Sequence, residues 1–238
     1  RKQRHLGQFF THPSVALFMA GLLCDQLCHS NKTHLRILDP GAGAGILACA
    51  VGQEVYARRI ADSLDIIAYE VDSTLIPTLT ESFKYLRTWL ADRKIECNYR
   101  IINNDFILAN GHFLERQGLL VDTGCEGLEA FDVIIMNPPY FKISRNDPRA
   151  IAASSVVYGQ PNVYALFMAV GASMLSPGGF LVSITPRSFA AGPYFSRFRE
   201  KFFSIVQPVA LHLFGSRREA FGEDTVLQEN VILVVSPK

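Results

Sequence analysis

Apolar runs of strand length alternate with segments of helical period along most of this chain, and that alternation restricts the fold more than any single motif. LRILD (35–39), LDIIAYEVD (64–72), IECNYRIINND (95–105), FDVIIMN (131–137) and FLVSITP (180–186) read as strands. The intervening segments predict helices over 46–60, 74–93, 107–121, 162–175 (closed by SPGG) and 193–204, with a loop over 123–130. A further helix over 13–29 precedes the first strand, with Pro13 near its start as helix entries favour. IVQPVALHLF and LQENVILVV supply two last strands, expected as an antiparallel pair. Strands alternating with helices predict an α/β fold: seven strands, mostly parallel, with helices on both faces.

The bulk numbers agree. At 238 residues, 49% hydrophobic and 19% charged, residues 1–238 suffice for one large domain with a substantial core. No linker-like tract, internal repeat or low-complexity segment divides the chain. No apolar run reaches the roughly 18 residues of a membrane span, and the basic N-terminus does not continue as a signal peptide. Cys24 and Cys28 stand four apart, but no second ligand pair follows at metal-binding spacing. The five cysteines read as reduced thiols and the protein as cytoplasmic, with no metal expected. A net charge of +1 conceals an asymmetry: residues 139–222 carry nine basic side chains against three acidic ones, leaving the rest at −5. Such a one-sided positive field suits a polyanion, or is an ordinary solvated surface.

In a parallel sheet, ligands bind beyond the carboxyl ends of the strands, near the point where strand order reverses. Four consecutive strands end there in polar or glycine-rich residues: Asp39-Pro40-Gly41, then Glu70 with Asp72, then Asn104-Asp105, then Asn137-Pro138-Pro139-Tyr140. Gly41, Gly43 and Gly45 would let a ligand approach the backbone before the next helix begins. Alone they fit a dinucleotide, another nucleoside or a tight turn. The G-x-G-x-G spacing and the Asp39 carboxylate lean away from a pyrophosphate and toward an amine or ammonium. Glu70, 25 residues after Gly45, stands near the roughly 20-residue spacing of an acid that holds ribose hydroxyls. Asp72 is a second candidate, or a cap. Asp105 either accepts from an adenine amino group, with Phe106 packed on the ring, or caps the following helix.

LDPGAGAG, the acid after the second strand, NNDF and NPPY, in this order, resemble the class I S-adenosylmethionine-dependent methyltransferases, and those that methylate amino groups in particular. GQFFT (7–11), upstream of the glycine loop, is similar to the cofactor-methionine motif of the N6-adenine DNA methyltransferases of restriction–modification systems in their gamma arrangement. The resemblance covers nearly the whole chain. It implies a Rossmann-like class I sheet, S-adenosylmethionine as cofactor, DNA as partner, and a separate or fused target-recognition or endonuclease module. It places Gln8, Phe9, Phe10 and Thr11 at the cofactor's methionine end, and Asp39, Pro40, Gly41 and Gly43 along its amino acid and ribose. Glu70 and Val71 would lie at the ribose, Asp105 and Phe106 at the adenine, and Asn137 between cofactor and substrate. Residues 1–125 then form the cofactor half and 126–238 the catalytic half. The family's target-recognition domain would be absent, since the chain ends at Lys238 soon after the last strand.

The elbow suits amino methylation. The exocyclic amine of adenine is a poor nucleophile, and two acceptors on its N–H bonds would position it and draw it toward tetrahedral geometry. Asn137 offers a side-chain carbonyl and Pro138 a backbone carbonyl. Pro138 and Pro139 fix φ and donate nothing, and the residue before a proline is biased to extended backbone. Tyr140 supplies a face for a base swung out of a duplex. Residues 141–160, mixing basic and small side chains, read as a mobile substrate loop. The rivals are glutamine N5-methyltransferases of the release-factor type, an RNA amino-methyltransferase, and an inactive binding module with the same fold. GQFFT and the basic second half argue against the first, and intact Asn137 and Tyr140 against the last.

Overall fold

A computed structural model describes residues 11–28, 30, 32–115, 130–157, 159–214 and 229–238. Its strands are β1 (His34–Pro40), β2 (Ser63–Tyr69), β3 (Glu96–Ile102), β4 (Phe131–Met136), β5 (Leu175–Pro186), β6 (Val206–Leu213) and β7 (Asn230–Pro237). They form one sheet in the order β3-β2-β1-β4-β5-β7-β6. The first five run parallel, while β7 is antiparallel to both β5 and β6. The chain builds outward from β1 in one direction and then returns to build from β4 in the other. The switch point therefore falls between β1 and β4, where a crevice opens at the carboxyl ends.

Helices cover both faces, so central strands must be apolar on both sides. All six residues of β4 are buried. Val133 and Ile135 join the core under α1 (Pro13–Leu27), α2 (Ile46–Arg58) and α3 (Ile76–Ala91). Phe131, Ile134 and Met136 join the opposite core, with α6 (Val163–Ala172) and α7 (Ser196–Ile205). Asp132 interrupts this strand for a structural reason. Its carboxylate accepts from Arg36 N at 2.9 Å and Ser176 Oγ at 2.8 Å, and pairs with Lys32, pinning β4 to its neighbours at the amino-terminal rim. Burial opposes its charge, yet these bonds outweigh burial and hold the carboxyl below its ordinary value.

Several expectations change, the third strand ending at Ile102 rather than at residue 105 among them. The second strand ends at Tyr69, not at residue 72. SPGG does not close a helix: α6 stops at Ala172, and residues 176–179 bulge within β5, whose Leu175 faces Phe131 and whose Phe180 faces Val133. The helix expected over 107–121 is a single short turn, α4 (Phe106–Asn110), running into a 3₁₀ turn at Gly111–Leu114. Residues 116–129 lie outside the described residues, as do most of the loop expected over 123–130 and the end of that helix. The segment after the elbow is folded. Residues 141 and 143 bond across to 163 and 161, and α5 (Pro148–Ala152) follows.

Candidate active site

The turn from β1 into α2 is held by its own backbone and by one carboxylate. Ala42 N–H donates to Tyr69 O at 2.9 Å. Gly43, at φ 55°, donates its N–H to Glu70 Oε2 at 2.8 Å. Glu70 Oε1 accepts from Asp72 N–H at 2.7 Å, so a side chain only 4% exposed ties the glycine loop to the end of β2. Each oxygen keeps a second lone pair for a ligand hydroxyl. Gly45 serves packing: at φ 82°, a Cβ there would stand 2.8 Å from Leu79 Cδ1 and 2.9 Å from Phe83 Cε1. Asp72 accepts from Thr74 N and Oγ1 at 3.0 and 2.7 Å, holding the turn before α3; the helix itself begins after Leu75 with no side-chain cap, so Asp72 is not its cap.

Asp105 divides its two oxygens. Oδ1 caps α4, accepting from Ile107 N and Leu108 N at 2.9 and 3.0 Å. Oδ2 stands 4.0 Å from Arg149 Nη1. Capping and ligand binding therefore need different atoms and do not compete.

These elements enclose a cavity of about 190 Å³ at the switch point. Of the residues singled out in the sequence, it is lined by Pro40, Gly41, Gly43, Glu70, Val71, Asn104, Asp105, Phe106, Asn137 and Pro139. Phe141 and Arg149, from the segment read as a substrate loop, line it too, as do Val163 and Phe167, which no sequence signal marked as site residues. Phe167 lies on α6, a helix apolar all round whose ten residues are all buried, so its pattern could not say which face meets a ligand. Phe106 and Phe167 stand 5.2 Å apart at 40° and form an aromatic wall.

Asp39, Pro138, Tyr140 and Thr11 are not among the lining residues. Asp39 is fully buried beneath the loop, near Ala48 and Cys49 of α2, and neither carboxylate oxygen has a hydrogen-bond partner of good geometry. Burial raises its pKa to about 7; the Ala48 N–H partly offsets this and the Glu70 charge adds to it. Thr11, buried just before α1, accepts from Asn137 Nδ2 at 3.0 Å. Gln8, Phe9 and Phe10 lie outside the described residues.

Asn137 is the hub of the elbow. Its Oδ1 is 2.8 Å from Tyr140 OH, and the same hydroxyl is 2.8 Å from Ile184 O in β5. Burial pushes the Tyr140 phenol well above its ordinary value, with the neighbouring Tyr164 adding to the shift, so the hydroxyl stays a neutral donor. Its single proton has two acceptors within reach. The Tyr140 ring is half-buried and meets Tyr164 edge-on, centroids 6.1 Å apart. Among the described residues no group of three His, Cys, Asp or Glu could hold a metal, and no helix is long and apolar enough to cross a membrane.

A seven-stranded sheet with β7 antiparallel between β5 and β6, and a glycine loop at the switch point, is the class I methyltransferase fold. The Eco57I restriction-modification methylase model matches residues 67–221, and the chain belongs to that family. It is 36% identical over 233 residues to the type II methyltransferase M.BsuBI of Bacillus subtilis, covering 98% of this chain and 44% of that protein. It is 33% identical over 227 residues to the type II methyltransferase M.PstI of Providencia stuartii, covering 95% and 42%. The chain thus spans less than half the length of these relatives. Among solved structures, the type I restriction enzyme EcoKI M protein superposes with a TM-score of 0.64 at 13% identity, over 97% of this chain and 44% of that one.

Proposed function

We propose that this chain transfers the methyl group of S-adenosylmethionine to the N6 amino group of an adenine swung out of DNA, as the modification activity of a restriction–modification system. One observation carries the reading: Asn137 brings an amide to the wall of the same cavity that Glu70, the glycine loop and Asp105 enclose. The residues present fit the cofactor. Glu70 has lone pairs for two hydroxyls, Phe106 and Phe167 form an aromatic wall, and Asp105 Oδ2 is an acceptor not used by the α4 cap. When bound, the cofactor supplies an electrophilic methyl on a positively charged sulfur.

The chain's own groups act on the amine. Asn137 Oδ1 accepts one N–H of the target, and the Pro138 carbonyl accepts the other. Thr11 Oγ1, on the opposite side of the amide, holds the carboxamide plane. The Tyr140 proton has Ile184 O as an alternative acceptor and can turn away from Oδ1. Methyl transfer moves the positive charge onto the amine nitrogen, which then loses a proton to solvent, so no strong general base is required. Pro138 and Pro139 keep backbone donors away from the amine, and Tyr140 offers a ring for the flipped base.

The test is transfer of label from S-adenosylmethionine to unmodified DNA, preceded by a cofactor titration. Asn137→Ala should abolish transfer while keeping cofactor affinity within about threefold, because it removes a contact to the reacting amine rather than the main cofactor contacts. Label appearing only on a protein glutamine, or equal transfer by Asn137→Ala, would sink the proposal.

A further inference from the structure

Arg149 belongs by sequence to the segment after the elbow, yet its side chain lines the cofactor cavity beside Asp105 and Phe106. Asp147 holds it there. Arg149 Nε donates to Asp147 Oδ1 at 2.9 Å and Nη2 to Oδ2 at 2.7 Å, a two-pronged pairing that fixes the guanidinium plane. The Arg149 backbone N–H also donates to Asp147 Oδ1, at 2.9 Å. The guanidinium carbon lies 5.5 Å from the centroid of Phe141, whose carbonyl accepts from Val163 N–H at 2.9 Å and so anchors this platform to α6. With Nε and Nη2 committed to Asp147, Nη1 faces Asp105 Oδ2 across 4.0 Å, too far for a direct bond. Asp105 Oδ1 is already committed to the cap of α4. One fixed donor and one fixed acceptor thus stand side by side on the cavity wall.

Adenine presents the complementary pattern: an amino donor flanked by ring nitrogens that only accept. We propose that Arg149 determines cofactor specificity, its Nη1 donating to the ring nitrogen beside the adenine amino group while Asp105 Oδ2 accepts from that amino group. The inference rests on the S-adenosylmethionine reading above. It makes the post-elbow segment part of the cofactor site. A hypoxanthine ring would turn a carbonyl toward the Asp105 carboxylate and be rejected, since facing acceptors leave both unsatisfied.

Calorimetric titration of the wild-type chain with S-adenosylhomocysteine, its 1-deaza and 7-deaza analogues and S-inosylhomocysteine tests this. One deaza analogue should bind about tenfold more weakly than the parent, as expected for one lost hydrogen bond to a charged donor. The inosyl compound should bind at least about a hundredfold more weakly. In Arg149→Met, which keeps the stem over Phe141, the deaza penalty should vanish, whereas Arg145→Ala, exposed on the same segment, should retain it. Equal binding of the parent and both deaza analogues by the wild type would overturn the inference without any variant. A penalty unchanged in Arg149→Met would overturn it too, since a purely structural role weakens all ligands alike. Failure of the wild type to bind S-adenosylhomocysteine at all would bring down the cofactor reading, and this inference with it.

Discussion

Glu70→Gln keeps the size of a side chain and removes its ability to accept at both ends. In the wild type, Oε2 takes the Gly43 N–H at 2.8 Å and Oε1 the Asp72 N–H at 2.7 Å, in a side chain 4% exposed. Glutamine has a single acceptor oxygen, so its NH₂ must face one of those two N–H groups. One charge-assisted bond becomes a donor–donor contact and the other loses its charge. Leaving a buried N–H unpaired in this way costs about 2–3 kcal/mol. For a domain of this length that lowers Tm by roughly 5–10 °C, and it should shift the urea midpoint with little change in m. Affinity for S-adenosylhomocysteine should also fall about tenfold, because the acceptor pair assigned to the ribose is broken. Urea denaturation followed by circular dichroism, with a parallel calorimetric titration, measures both. A stability loss under about 0.5 kcal/mol, the range of an ordinary surface substitution, together with unchanged affinity, would refute the role assigned to this carboxylate.

Gly45→Ala should cost about 3 kcal/mol in the same denaturation assay. The left-handed backbone at φ 82° disfavours any side chain, and the new methyl meets buried Leu79 and Phe83 at under 3 Å. Asp39 should make stability depend on pH. Its carboxyl rises from 3.8 to about 7 on folding, so the folded state holds the proton more tightly and loses stability as pH climbs through that window. Without cofactor, the wild type should lose roughly 4 kcal/mol between about pH 4 and pH 7 that Asp39→Asn does not lose. Denaturation midpoints at pH 5 and pH 8 check this, and a difference between the two proteins that does not shift in favour of Asp39→Asn as pH rises refutes it.

Much of the cavity lining was legible because its residues end strands. Apolar runs of strand length between segments of helical period located β1, β2 and β4, and the polar endings 39–41, 70, 105–106 and 137–140 then had to share one rim. SPGG was misread because glycine and proline punctuate helices and bulges alike; only the pairing of Leu175 with Phe131 and Phe180 with Val133 shows that β5 continues through it. Asp39 looked like a ligand residue because it adjoins the glycines, yet its side chain turns beneath the loop toward Ala48 and Cys49. Asp132 breaks an otherwise apolar strand, and its reason lies in Lys32, Arg36 and Ser176, partners remote in sequence or on another strand.

By itself the sequence determined the α/β class, the seven strands, the rim whose residues line the cavity and the family resemblance, because each of these follows from local periodicity and short contiguous motifs. Only the tertiary structure decided that Glu70 clamps Gly43, that Thr11 reaches Asn137 across 126 positions of chain, and that Arg149 returns to face Asp105. Those contacts join segments whose approach is set by sheet order and helix packing, and no local pattern of residues encodes a distance between strands.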